Sequence, residues 1–123
     1  MRIVIAEDAV LFRAGLARLL EDEGHQVCAA VADGTALLAA ADEHHPDVVI
    51  ADIRMPPAYT DEGLRAAIEL RLAHPGTAVL VLSQYIETVY AARLLSASPS
   101  GVGYLLKDRV ADVTVITVTP TAS

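Results

Sequence analysis

The stretch Val48-Val49-Ile50-Ala51-Asp52-Ile53-Arg54-Met55-Pro56 runs through four apolar residues directly into an aspartate. A half-exposed strand would alternate apolar with polar residues, so an unbroken apolar run predicts a strand covered on both faces, as in parallel sheets flanked by helices. Working outward, runs of the same kind occur at Ile3 to Ala6, Val27 to Val31, Val79 to Leu82 and Val102 to Leu106. Helical spacing fills the gaps. Phe12, Leu16, Leu19 and Leu20 predict one helix ended by Gly24, and Leu37, Leu38 and Ala41 a second closed by Pro46. Leu64, Ala67, Ile68 and Leu72 predict a third, with Thr60-Asp61-Glu62 as capping groups at its start, and Val89, Ala92 and Leu95 a shorter fourth. Strand and helix in alternation predict a doubly wound α/β fold with a five-stranded parallel sheet in the flavodoxin-like order 2-1-3-4-5.

At 123 residues, 54% of them hydrophobic, the chain has the material for one core. No apolar run approaches the roughly 20 residues of a membrane span. Nine basic against sixteen acidic residues give a formal charge of −7, the wrong sign for displacing counterions from a phosphate backbone, so no direct nucleic-acid binding is expected. Four apolar residues after Met1-Arg2 are too few for a secretory signal, which makes the cytoplasm the expected location. The single cysteine, Cys28, lies in an apolar run; an inert buried thiol is expected there and an intrachain disulfide is impossible.

In an open parallel sheet the functional crevice lies beyond the carboxyl ends of the strands. Strand one there ends in Glu7-Asp8, strand three in Asp52, strand four in Ser83 and strand five in Lys107. Strands one and three are neighbours in the expected order, so three carboxylates converge. Oxygen-only ligands of this kind suit Mg²⁺, with Mn²⁺ as the alternative. Lys107 supplies a point charge for a phosphate oxygen and Ser83 a hydroxyl donor. The set suits phosphoryl transfer to a carboxylate, which is already ionised at neutral pH and needs no general base. Each residue also has an ordinary explanation. Asp8 can cap the first helix while Glu7 sits in solvent, Ser83 can form a turn, Lys107 can belong to a solvated loop, and Tyr104 can be a half-buried core aromatic. His44 and His45 fit a helix end and no zinc pattern, and Glu21-Asp22-Glu23 an exposed one.

Together with Ile3-Val4-Ile5-Ala6-Glu7-Asp8, Val79-Leu80-Val81-Leu82-Ser83-Gln84-Tyr85 and Gly103-Tyr104-Leu105-Leu106-Lys107-Asp108, the opening stretch resembles the receiver domain of two-component response regulators, nearest the LuxR/NarL-type transcription regulators. The resemblance implies that Asp52 is the phospho-acceptor, that Glu7, Asp8, Asp52 and the main-chain carbonyl of Arg54 hold Mg²⁺, and that Lys107 binds the phosphoryl group. It further implies that Ser83 and Tyr104 form the conformational switch and that Arg54 and Tyr85 tune hydrolysis of the phosphoaspartate. The implied partners are a sensor histidine kinase and an output domain or protein, with a homodimer as a further option, and the chain is not expected to turn over external substrates.

Two departures stand out. The family usually follows the lysine with a last helix, whereas Val113-Thr114-Val115-Ile116-Thr117-Val118-Thr119 alternates like a strand. We therefore expect a receiver domain over residues 1–111 and an atypical tail over 112–123 that pairs as an edge strand, crosses to another molecule or stays disordered. No DNA-binding segment is expected within this chain. Asp108 replaces the proline that often follows the lysine, so no cis bond is expected there. The rival readings are an unphosphorylated receiver-like interaction module and an aspartate-nucleophile phosphatase; the latter usually needs Asp-x-Asp, and Arg54 occupies the third place of Asp52-Ile53-Arg54.

Overall fold

The computed structural model describes residues 1–84, 89, 92, 93, 96 and 101–109. Its strands are β1 (Arg2–Ala6), β2 (Gln26–Val31), β3 (Val48–Asp52), β4 (Ala78–Ser83) and β5 (Val102–Leu106). The intervening helices are α1 (Val10–Asp22), α2 (Gly34–His44) and α3 (Glu62–Ala73), and a short 3-10 turn, Lys107–Arg109, follows β5. The five strands are all parallel, in the expected order β2-β1-β3-β4-β5.

Alternation along the buried strands decides which helix each side chain meets. Ile3 and Ile5 of β1, Val48 and Ile50 of β3, and Leu80 and Leu82 of β4 pack with Leu16 and Leu20 of α1. Their neighbours Val4, Ala6, Val49, Ala51, Val79 and Val81 pack on the opposite face with Leu37 of α2 and with Leu64 and Leu70 of α3. β3 is buried at every position, as an unbroken apolar run requires at the centre of a two-faced sheet. β2 is different: it is an edge strand with no fully buried residue, and its register with β1 skips Cys28. The thiol is accordingly half-buried, against the expectation of full burial.

The helix ends follow local chemistry. α1 stops where Gly24 takes a φ of 90°, and its last carbonyls receive the amides of Gly24 and His25. α2 starts with Asp33 accepting the Ala36 amide at 2.8 Å and ends at His45, left-handed at φ 47°, directly before Pro46. In α3 Leu64 and Ala67 are buried as the spacing predicts, but Leu72 is 73% exposed and Leu70 takes the core position instead. The expected capping also differs in detail. Asp61 makes no side-chain cap, while Glu62 turns back to accept the amides of Ala58 at 2.8 Å and Thr60 at 2.9 Å. Desolvation is the largest single influence and opposes ionisation, but hydrogen bonds from its own amide, from those two and from the Thr60 hydroxyl together outweigh it, so the Glu62 carboxyl lies below its ordinary pKa.

The expected fourth helix lies mostly outside the described residues, although Val89, Ala92, Arg93 and Ser96 are helical. The tail over 112–123 lies outside them altogether. Among the described residues no helix is long and apolar enough to cross a membrane.

Among the described glycines Gly63 makes the closest approach to its surroundings. Its amide donates to the Ile53 carbonyl at 2.8 Å, and an added Cβ would lie 1.6 Å from the Asp52 carbonyl oxygen. α3 thus begins directly on the backbone that carries Asp52. We expect Gly63→Ala to cost about 3 kcal/mol or more in urea unfolding, because backbone atoms cannot yield as side chains do. Exposed Gly15 in α1 has nothing within 4 Å of its would-be Cβ, so Gly15→Ala should stabilise by roughly 0.5–1 kcal/mol. Equal effects of the two changes would contradict this packing.

Candidate functional site

The same alternation carries the functional side chains to one place. Glu7 continues the Ile3, Ile5 series, Asp52 the Val48, Ile50 series, and Lys107 follows Leu105, all on the α1 face of the sheet. The ladder persists just past the strands: the Glu7 amide donates to Val31 O at 2.9 Å and the Ile53 amide to Leu82 O at 3.1 Å. At the meeting point Lys107 Nζ lies 2.5 Å from Glu7 Oε1 and 3.2 Å from Asp52 Oδ2. The ammonium also stands 4.9 Å from the centre of the Phe12 ring, supplied by α1.

Glu7 is completely buried, which removes the reading of it as a solvated residue. Its second oxygen accepts the Ala9 amide at 3.2 Å, and its main-chain carbonyl accepts from Arg13 Nη1 at 2.7 Å. Asp8 does not cap α1 either. Ala9 holds the cap position without a side-chain bond, leaving the Asp8 carboxylate with Glu7 and Asp52 in a group whose oxygens lie within 4.8 Å of one another. Burial, then the hydrogen bond and charge of Glu7, hold the Asp8 carboxyl above its ordinary pKa. For Lys107 burial works against the charge, but contact with Glu7 and attraction from Asp52 prevail and hold the ammonium above its ordinary pKa.

Three carboxylates against one ammonium leave an excess of negative charge that suits a divalent cation. The donors are oxygen only and preformed, so the residues present fit Mg²⁺. A cavity of about 240 Å³ opens beside them, lined by the expected residues Asp8, Asp52, Arg54, Ser83 and Lys107. It is smaller than the roughly 300–1,000 Å³ typical of metabolite pockets. A larger hollow of about 460 Å³ between α2 and α3 touches none of the acidic group. Ser83 is buried at the end of β4. Tyr104, half-buried, is the register partner of Val81 and packs on the opposite sheet face from Lys107. Tyr85 lies outside the described residues.

Comparison with known proteins now decides the family. The family model described as response regulator receiver domain matches residues 3–118. The chain belongs to the response regulator receiver domain family. This receiver domain is 35% identical over 109 residues to the oxygen regulatory protein NreC of Staphylococcus epidermidis, covering 88% of this chain and 48% of that protein. It is 35% identical over 116 residues to the transcriptional regulatory protein DegU of Brevibacillus brevis, covering 94% of this chain and 47% of DegU. The chain thus spans about half the length of these curated relatives. Among solved structures, the signal receiver domain of the response regulator NarL from Mycobacterium tuberculosis superposes with a TM-score of 0.78 at 32% identity, covering 94% of each chain. A LuxR-family DNA-binding response regulator from Staphylococcus aureus superposes at 0.84 with 26% identity, over 97% of this chain and 98% of that one.

Three features of the receiver domain's site escaped the sequence reading. Tyr59, Ile53 and Gln84 also line the cavity, Phe12 supports the ammonium, and Gly63 sets the backbone beneath Asp52. A glycine one residue inside a helix start is a legible sign of close approach. The position of Tyr59, at φ 56°, left no sign, because aromatic residues rarely adopt that conformation.

The ion contact makes a measurable claim. Lys107→Met strands the buried Glu7 carboxylate, and in EDTA we expect a loss of about 2 kcal/mol by urea unfolding. That is less than the roughly 3–5 kcal/mol of a fully dry pair, because Lys107 keeps 22% of its side chain in solvent. Adding Glu7→Gln should recover part of the loss. An unchanged midpoint in the single variant would mean that the contact contributes nothing.

Proposed function

We propose that this receiver domain accepts a phosphoryl group on Asp52 from a sensor histidine kinase in a Mg²⁺-dependent reaction, and that the added charge alters its β4 and β5 surface to control an output domain or partner. The observation that carries the reading is Asp52 itself: a carboxylate only 7% exposed, yet bordering a cavity and 3.2 Å from an ammonium. A structural ion pair alone would not require a preformed acidic group and open volume beside it.

In this reading an Asp52 oxygen attacks phosphorus in line, forming the acyl phosphate as the donor's imidazole leaves with the bonding electrons. Lys107 then neutralises charge on the phosphoryl oxygens and exchanges its Asp52 contact for them. Glu7, Asp8, Asp52 and the Arg54 carbonyl would hold Mg²⁺, which supplies further charge neutralisation. Ser83 is buried at the cavity wall, two pairing steps beyond the Val81 and Tyr104 partners, so its hydroxyl can follow the phosphoryl group while the ring of Tyr104 adjusts on the same sheet face. Arg54, which lines the cavity, and Tyr85 tune hydrolysis. The domain is a phospho-acceptor and does not turn over external substrates: the third place of Asp52-Ile53-Arg54 offers no second acid.

The relatives named as transcriptional and DNA-binding regulators support transcription as the output, exerted from the cytoplasm by sequence outside this receiver domain, with homodimers as one means of transmission. Incubation with acetyl phosphate and Mg²⁺ should add one phosphoryl group by intact mass. Asp52→Asn and EDTA should each abolish it, and an adduct of equal yield on Asp52→Asn would refute the assignment. Mg²⁺ at about ten times its dissociation constant should also raise unfolding stability by roughly 1.4 kcal/mol, and this gain should vanish in Asp8→Asn/Asp52→Asn.

A further inference from the structure

We propose that Tyr59, held at the rim of the Asp52 cavity by a carboxylate clamp from Glu62, restricts access to the Asp52 carboxylate and thereby sets the lifetime of its acyl phosphate. The second half of this inference rests on the phosphoryl-acceptor reading; the first half stands without it.

The loop between β3 and α3 is built to fix one residue. The two oxygens of Glu62 take the amides on either side of Tyr59, Ala58 at 2.8 Å and Thr60 at 2.9 Å, while the Tyr59 amide donates to Met55 O at 3.0 Å. Three consecutive amides are thereby satisfied within the loop. The loop's far end is pinned as well: Asp61 receives Arg65 Nε at 3.0 Å and Arg93 Nη1 at 2.9 Å. Within this frame Tyr59 takes a φ of 56°, a conformation that costs about 1–3 kcal/mol for a non-glycine residue and persists where the surroundings impose it. Tyr59 lines the same cavity as Asp52 and Lys107, and the residue remains 52% exposed. A residue with a large ring thus lines the opening beside a carboxylate that is itself nearly buried.

Hydrolysis of the acyl phosphate needs a water in line with the bond to Asp52. The water oxygen forms a bond to phosphorus, the bond from phosphorus to the Asp52 oxygen breaks with its electrons returning to the carboxylate, and the water's proton passes to phosphate or solvent. A ring at the cavity mouth lowers the population of water able to make that approach. The effect requires bulk and not the phenolic hydroxyl, so Phe should replace Tyr59 and Ala should not. Both substitutes carry a Cβ, so the backbone strain at position 59 is common to all three proteins.

Two measurements decide the matter. In the first, the unphosphorylated protein is treated with a water-soluble carbodiimide and glycinamide, and labelling of Asp52 relative to exposed Asp22 is read by peptide mass. Tyr59→Ala should label Asp52 at least about threefold faster than wild type, Tyr59→Phe within about twofold, and Glu62→Gln, which loses one acceptor of the clamp, in between. In the second, protein phosphorylated by acetyl phosphate is desalted into Mg²⁺ buffer and loss of the adduct is followed by intact mass, with the half-life expected to shorten in the same order. Equal labelling of wild type and Tyr59→Ala, or Tyr59→Phe behaving as Tyr59→Ala, overturns the access claim. Faster labelling with unchanged half-lives overturns the link to lifetime. A wild type that labels as expected but never gains a phosphoryl group supports the barrier, refutes its bearing on an acyl phosphate, and places the failure in the phosphoryl-acceptor reading.

Discussion

The ammonium of Lys107 between Glu7 and Asp52 is the contact on which the remaining arrangement depends. Without a cation, two nearly dry carboxylates and the adjoining Asp8 would repel one another at the ends of β1 and β3, neighbouring strands of the sheet. With it, an acidic mouth survives in a folded domain. The contact is also exchangeable, because a lysine on a long flexible stem with part of its surface in water can leave one oxygen for another. A guanidinium held in a two-point grip would suit that exchange less well. Stability and chemistry thus draw on one side chain, supported by the Phe12 ring on one side and the sheet edge on the other.

Much of this was legible in the residues because it follows from period and position. Five apolar runs with helical spacing between them are enough to predict order 2-1-3-4-5, and the residue after each run is then at the crevice. Glu7, Asp8, Asp52, Ser83 and Lys107 were found that way, and the structure brings them together. What alternation cannot express is depth. Nothing in Leu70 and Leu72 tells which of two leucines faces inward, since the choice rests on how α3 is rotated against the sheet. Burial of β2 failed for a similar reason: its run is as apolar as the others, but an edge strand has a neighbour on one side only. Loop geometry is the least legible level. The Glu62 clamp depends on a carboxylate folding back over its own helix start, and an aspartate-glutamate pair at such a place more often signals a simple cap.

The family assignment and the physical reading support each other at different scales. Similarity over 88% of this chain establishes the receiver domain, while the curated relatives continue for about as long again. About half of the length of those relatives therefore lies outside the region matched here. The cavity beside Asp52 is smaller than those that commonly hold metabolites.

The absence of a side chain at Gly63 has a mechanical consequence. With the first turn of α3 seated on the Asp52 carbonyl, the floor beneath that residue has no slack, and helix and peptide unit behave as one stiff plate. Any displacement of the Asp52 main chain toward α3 would have to carry the helix with it. The margin of the sheet that is only partly covered lies to the side, at β5.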